Sequence, residues 1–115
     1  MQKTFHEELK SKIDSYIHLV YKVTKKFPRD ELYGVTSQLR RSSMSIMLNY
    51  IEGYARGRDK VNKIFLETSY GSLKESKYLV YFSLKEKYIL EGEYKVLNET
   101  SDSIGAMIWG ILKNL

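Results

Sequence analysis

Apolar residues recur at spacings of three and four along nearly the whole chain, and the alternation typical of strands is not sustained anywhere. Phe5, Leu9, Ile13, Tyr16, Ile17, Val20, Val23 and Phe27 trace the first stripe. Thr4 followed by Glu7 opens it as a capping box. Pro28, the sole proline, ends that helix and suits the first turn of the next, where Asp30 and Glu31 complement the helix dipole. Gly57 permits a left-handed cap on the second helix, and Asp59 suits the N-cap of the third. Val61, Phe65, Ser69, Ser72, Ser76, Leu79 and Ser83 share one face of the third helix. The small residues among them allow another helix to approach closely, as would Gly53 and Gly71. After a turn around Lys87–Leu90, the residues Tyr94, Leu97, Ser101, Ile104, Ile108, Ile111 and Leu115 form a coiled-coil-like seam, weakened locally by Gly105 and Gly110. The pattern predicts an all-α, single-domain, up-down-up-down antiparallel four-helix bundle, with helices at about 4–26, 29–56, 59–86 and 91–114.

The second helix departs from simple amphipathicity. Its polar residues Arg41, Ser45, Asn49, Glu52 and Arg56 fall within an arc of about 80°. Leu32, Val35, Leu39, Ile46, Met47, Tyr50 and Tyr54 fill the opposite side, flanked by Met44, Leu48, Ile51 and Ala55. A helix with one solvated face needs an apolar stripe of little more than about 100°. This helix is therefore expected to be buried on more than one side, and self-association is the natural source of the second neighbour. Arg41 and Glu52 lie about 16 Å apart along the axis and cannot pair within the helix. Buried charges need partners, so these are expected from another helix or subunit. The polar stripe reads as a network fixing bundle or subunit register; the alternative is RNA contact or a pore lining through Arg40, Arg41 and Arg56.

The same stretch carries a resemblance. Residues 27–57, FPRDELYGVTSQLRRSSMSIMLNYIEGYARG, together with FLETSYGSLKE from Phe65 to Glu75, resemble the four-helix-bundle proteins encoded in intervening sequences of bacterial 23S rRNA. That family also includes the accessory variability determinant of diversity-generating retroelements. The similarity spans about residues 4 to 115 and is densest from Phe27 to Glu75. It implies a small bundle that assembles into a ring-shaped homopentamer and associates with RNA, with no established catalysis. Asn49, Glu52 and Gly53 match the family's N-x-x-E-G element, which supports the structural reading of the stripe. Ser42 and Ser43 stand where alanines are usual, Met47 where proline is common, and Ala55 where a second glycine often sits; these departures bear on fine packing.

At 115 residues the chain is long enough to bury a core without metal or disulfide staples. It has no cysteine, which excludes disulfides, thiolate zinc sites and cysteine nucleophiles and suits a cytoplasmic setting. Lys3, Glu7, Glu8, Lys10, Lys12 and Asp14 leave no room for a signal peptide, and no run of about eighteen apolar residues suggests a membrane span. The net charge of +5 divides as +4 over residues 1–29, zero over 30–57, +3 over 58–90 and −2 over 91–115. The excess sits on the first and third helices. It suits a polyanionic partner, although charge alone favours an ordinary solubilising surface.

No catalytic constellation is present in the sequence. His6 and His18 lie about 18 Å apart along one helix and cannot share a metal within a chain. The pattern includes no phosphate-binding glycine loop, and no cofactor is called for. The binding signal lies on the third helix, where Lys63, Tyr70, Lys74, Lys77, Tyr81 and Lys85 share an arc of about 80° with Lys60 at its edge. Lysines neutralise phosphates and tyrosine rings stack on unpaired bases. The bland alternative is a solvated face, interrupted by Glu67. Lys22, Lys25 and Lys26 of helix one extend the surface if they lie nearby. The sequence thus predicts a non-enzymatic, cytoplasmic homo-oligomer, most simply a pentamer, that binds RNA or another nucleic acid. The second reading is a protein-binding ring docking an enzyme such as a reverse transcriptase. A third is a structural oligomer with no nucleic-acid role.

Overall fold

The computed structural model describes residues 4–57 and 59–115. Lys3 and Arg58, counted in the charge balance above, lie outside them. Helix α1 spans Phe5–Thr24, α2 Val35–Arg56, α3 Asp59–Lys85 and α4 Glu91–Leu112, with a 3₁₀ turn at Arg29–Glu31. Each helix packs against the next, and α4 returns to α1. As residue numbers rise on one helix, those they meet on its neighbour fall: Ser69 lies against Ile46 and Gly53 against Asn62. Lys77 lies against Asp102, and Tyr70 against Trp109. The bundle is therefore antiparallel in chain order, and the four-helix, all-α architecture read from the periodicity is the one observed.

On α1, α2 and α4 the core is largely the set of residues the spacing selected, but on α3 its apolar members stand one position later, at Leu66, Leu73 and Val80, while Phe65, Ser72 and Leu79 are half-buried. Leu9, Ile13 and Val20 on α1, Ile46 on α2, Leu66 on α3, and Leu97, Ile104 and Ile108 on α4 are fully enclosed. Side chains of this size each contribute about 1.5–3 kcal/mol by leaving water. The serine row of α3 lets α2 come close. Ser69 Oγ donates to Ile46 O at 2.7 Å, and Ser69, Ser76 and Ser83 are all buried. Ser42 and Ser43 are buried too, and their hydroxyls return to Leu39 O and Arg40 O of their own helix. Serine therefore fits a space of nearly alanine size without leaving an unpaired hydroxyl.

The helix boundaries follow local chemistry. Thr4 Oγ1 accepts from Glu7 N at 3.1 Å, the N-cap half of the expected capping box. Gly57 closes α2 in the left-handed region at φ 67°. Asp59 is the first residue of α3 rather than its cap. The larger correction concerns α2, which begins at Val35 and not at residue 29. Glu31 turns back so that Oε1 faces Val35 N at 3.4 Å, while Oε2 accepts from Tyr88 Oη at 2.8 Å. A side chain at position 34 would put Cβ 2.5 Å from Glu31 Oε1, so glycine lets the carboxylate keep this place. Leu32, expected on the apolar side of the helix, lies in the intervening turn and is half-exposed.

Candidate functional site

The lysines of α3 emerge on the side of the helix next to α4. Lys60, Lys63, Lys74 and Lys85 are exposed. Lys77 is not free, because it forms an ion pair with Asp102 on α4. The tyrosines divide as well. Tyr81 is exposed, whereas Tyr70 is half-buried with its ring 6.0 Å from that of Trp109. Lys74 Nζ lies 5.2 Å from the centre of the Tyr70 ring, and Lys85 Nζ 5.9 Å from that of Tyr81. Cations at these separations interact favourably with a ring face, which fixes where the ammonium groups stand. Tyr78, outside the predicted stripe, is exposed and lies 6.5 Å from Tyr81 by ring centre.

The lysines of α1 form a separate feature. Lys22, Lys25 and Lys26 are exposed near the end of a helix diagonal to α3. Lys26 Nζ is held by Glu93 Oε2 at 2.6 Å. Burial raises the Glu93 carboxyl pKa, but the Leu90 N–H and Lys26 outweigh it and hold the group below its ordinary value. One of the three α1 cations is thereby neutralised at the site where it was expected to serve.

The polar stripe of α2 resolves into three parts. Ser45 Oγ meets Ser72 Oγ at 2.9 Å, and Asn49 Nδ2 donates to Ser45 O and Oγ, both at 2.9 Å. The Ser45–Ser72 bond joins α2 to α3, and Asn49 braces it from within α2. Glu52 does not reach another helix. It accepts from Arg56 Nε at 2.8 Å within α2, and Arg56 also lies over Phe65. Arg41 is exposed to water and so does not require a buried partner. Arg40 instead turns to α1, with Nε donating to Thr24 Oγ1 at 2.8 Å and the guanidinium over Tyr21.

The other face of α2 carries the unpaired apolar surface. Leu48 is 58% and Ile51 47% exposed, with Tyr54 beside them at 39%. Phe5, from the start of α1, continues the patch through His6. That ring is 4.5 Å from Tyr54 and 5.7 Å from Phe5 by centres. His6 Nδ1 also meets the hydroxyl of buried Tyr50 at 2.6 Å. Sequence spacing could not find this pairing, because it joins residues 44 positions apart. Burial, followed by the neighbouring Tyr54, raises the Tyr50 phenol well above its ordinary range.

Trp109 and Lys113 are the surface residues that the one-helix reading missed. They belong to α4 and its cap, and they face the early turns of α3. No helix among the described residues is long and apolar enough to cross a membrane.

Among curated proteins none matches the chain significantly. A crystal structure of a protein of unknown function, from the S23 ribosomal protein family of Bacteroides thetaiotaomicron, shares the fold. Its TM-score is 0.84 over 91% of this chain and 98% of that one, at 20% sequence identity. Neither that protein nor the matching family is described as an enzyme. Residues 8–110 match the family described as 23S rRNA-intervening sequence protein, and the chain belongs to that family.

Proposed function

We propose that the protein is a non-enzymatic, self-associating bundle that binds RNA through the basic side of α3. The observation that carries this reading is the exposure of Lys60, Lys63, Lys74 and Lys85 along that side, with tyrosine rings set among them. Exposed cations neutralise phosphates, and rings add a surface for unpaired bases. Membership of a family named for 23S rRNA intervening sequences supports RNA as the polyanion. The absence of cysteine suits a reducing, cytoplasmic setting. Self-association is supported by the apolar face of α2 and repeats the basic face in every subunit. The pentameric number rests on the family resemblance.

The test is a salt titration of RNA binding by the wild type and by a variant with Lys60, Lys63, Lys74 and Lys85 changed to Glu. Lys77 is left alone because its charge is already met by Asp102. The variant is checked for helix content and oligomeric state. It is expected to bind far more weakly, with a salt slope lower by roughly 0.7–0.9 for each phosphate it no longer neutralises. Absence of wild-type binding at about 50 mM salt, or an unchanged slope in the variant, refutes the reading.

A further inference from the structure

Between the early turns of α3 and the end of α4 lies a cleft of about 400 Å³, within the size range of small-ligand sites. Its walls carry two kinds of group. Tyr70 and Trp109 supply aromatic surface, with ring centres 6.0 Å apart and planes inclined at 40°. Lys63 and Lys113 supply positive charge from opposite helices. Among the described residues neither lysine is held in an ion pair. Glu67 is the one carboxylate in the lining.

The rings are placed rather than incidental. Tyr70 lies against Gly105 of α4, where an added Cβ would stand 4.0 Å from its Cε2 and 3.2 Å from Leu73 Cδ2. A larger residue would crowd the pair, so the glycine allows α3 and α4 to close beneath the ring. On the cleft side, Gly71 leaves the space above the helix open, with nothing within 4 Å of its missing Cβ. Trp109 is 55% exposed, a large apolar surface that Tyr70 covers only in part. The inclined rings form a wedge. A flat ring lying on the indole would be inclined at 40° to Tyr70, with aromatic surface on both sides of the wedge.

A planar ring with an attached polyanion is the chemistry that matches aromatic walls flanked by two cations. We propose that this cleft takes one unpaired nucleotide of a bound RNA, its base on Trp109 and Tyr70 and its phosphates on Lys63 and Lys113. The inference rests on the RNA-binding reading above and adds to it the state of the ligand. A base inside a duplex has both faces covered, so only a splayed-out base can enter. Glu67, an acceptor when ionised, suits the amino and imino donors of a base. An acidic side chain has no flat ring to lay on Trp109, which disfavours an acidic peptide as occupant.

Trp109 is the single tryptophan of the chain, so its emission reports on this cleft alone. The experiment titrates the oligomeric protein with a short unstructured single-stranded RNA, and separately with the same strand in a blunt duplex. Two variants accompany the wild type. Gly71→Leu fills the cleft without changing charge, and leucine favours helix over glycine, so the fold is retained. Trp109→Leu removes the stacking surface and is followed by direct RNA binding.

Single strands are expected to quench Trp109 saturably, and the duplex to leave it unchanged. Each variant should weaken single-strand binding by roughly five- to hundred-fold, the effect of removing one stacked base, while duplex binding stays as it was. Single-strand binding without quenching, equal quenching by the duplex, or variants that bind like wild type would overturn the nucleotide cleft and leave the RNA reading standing. Failure of every RNA to bind at about 50 mM salt removes both.

Discussion

Tyr16 carries a hydroxyl into the centre of the bundle, where it meets Ser76 Oγ at 2.9 Å. Ser76 donates its own proton to Leu73 O at 2.9 Å, so Tyr16 is the donor to Ser76. Burial pushes the phenol up to about 12. In the unfolded chain a tyrosine ionises near 10. A raised folded value means that this stabilisation is complete below pH 10 and is lost as pH climbs towards 12. In that window each such tyrosine lowers stability by about 1.4 kcal/mol per pH unit, and Tyr50 adds to the effect because it is raised further. Tyr16→Phe should therefore flatten the alkaline fall in stability while costing only about 1 kcal/mol at neutral pH. Denaturant melts across the alkaline range measure this, and an unchanged slope in the variant refutes it. Gly53 gives a second prediction at the same scale. A Cβ there would stand 2.7 Å from Asn62 Oδ1 and 3.2 Å from Phe65 Cβ. Gly53→Ala should destabilise by about 1–3 kcal/mol through overpacking, against the roughly 1 kcal/mol that alanine ordinarily gains in a helix. Gly110→Ala, with nothing within 4 Å, is the control and should raise the melting temperature.

At the scale of elements, the end of α3 shows what a left-handed residue costs. Tyr88 N bonds Ser83 O at 2.8 Å and Lys87 N bonds Leu84 O at 3.0 Å, the paired bonds of a Schellman ending. The left-handed position is filled by Lys87 at φ 63° instead of by glycine. Lys87→Gly should raise stability by about 1 kcal/mol, because glycine lacks the Cβ that crowds there. Thermal unfolding tests it, with Lys87→Val as the opposite case. The existence of each helix was legible because three- and four-residue spacing is a local property of the chain. The start of α2 was not. Leu32 and Val35 are spaced as in a helix, but the chain leaves helical geometry at Gly34, beside a Glu31 side chain that Tyr88 holds from 57 positions away. The candidate site divided in the same manner. One helix's period gathers Lys60, Lys63, Lys74 and Lys85, yet that period says nothing of Asp102 cancelling Lys77 or of Trp109 facing Tyr70. Those facts belong to the pairing of α3 with α4.

The whole molecule leaves Leu48, Ile51, Tyr54 and Phe5 on one side, and a bundle whose only task was to fold would have no reason to keep them there. They lie opposite the serine-rich seam with α3, so no internal rearrangement covers them. Covering them with another copy accounts for an α2 apolar over most of its circumference, and for polar Ser45 and Asn49 facing the internal seam. The protein should therefore run at a multiple of 13.5 kDa in light scattering coupled to size exclusion, five-fold for a pentameric ring. Changing Leu48 and Ile51 to Glu should return it to the monomer with its helix content intact. Both positions are already about half in water, so the carboxylates cost little in the monomer. In an interface each would have to be desolvated without a partner, at a cost of several kcal/mol. A wild type at 13.5 kDa removes the oligomer, and a dimer removes the ring. The same variant separates assembly from RNA binding. Its α3 lysines are untouched, so each chain still neutralises phosphates and forgoes only the repetition of that face around the assembly. Its affinity for a long RNA should fall by roughly 10²-fold or more, while affinity for a strand short enough to touch one subunit stays at the wild-type value. An equal fall on both strands would place Leu48 and Ile51 in the RNA-binding surface itself.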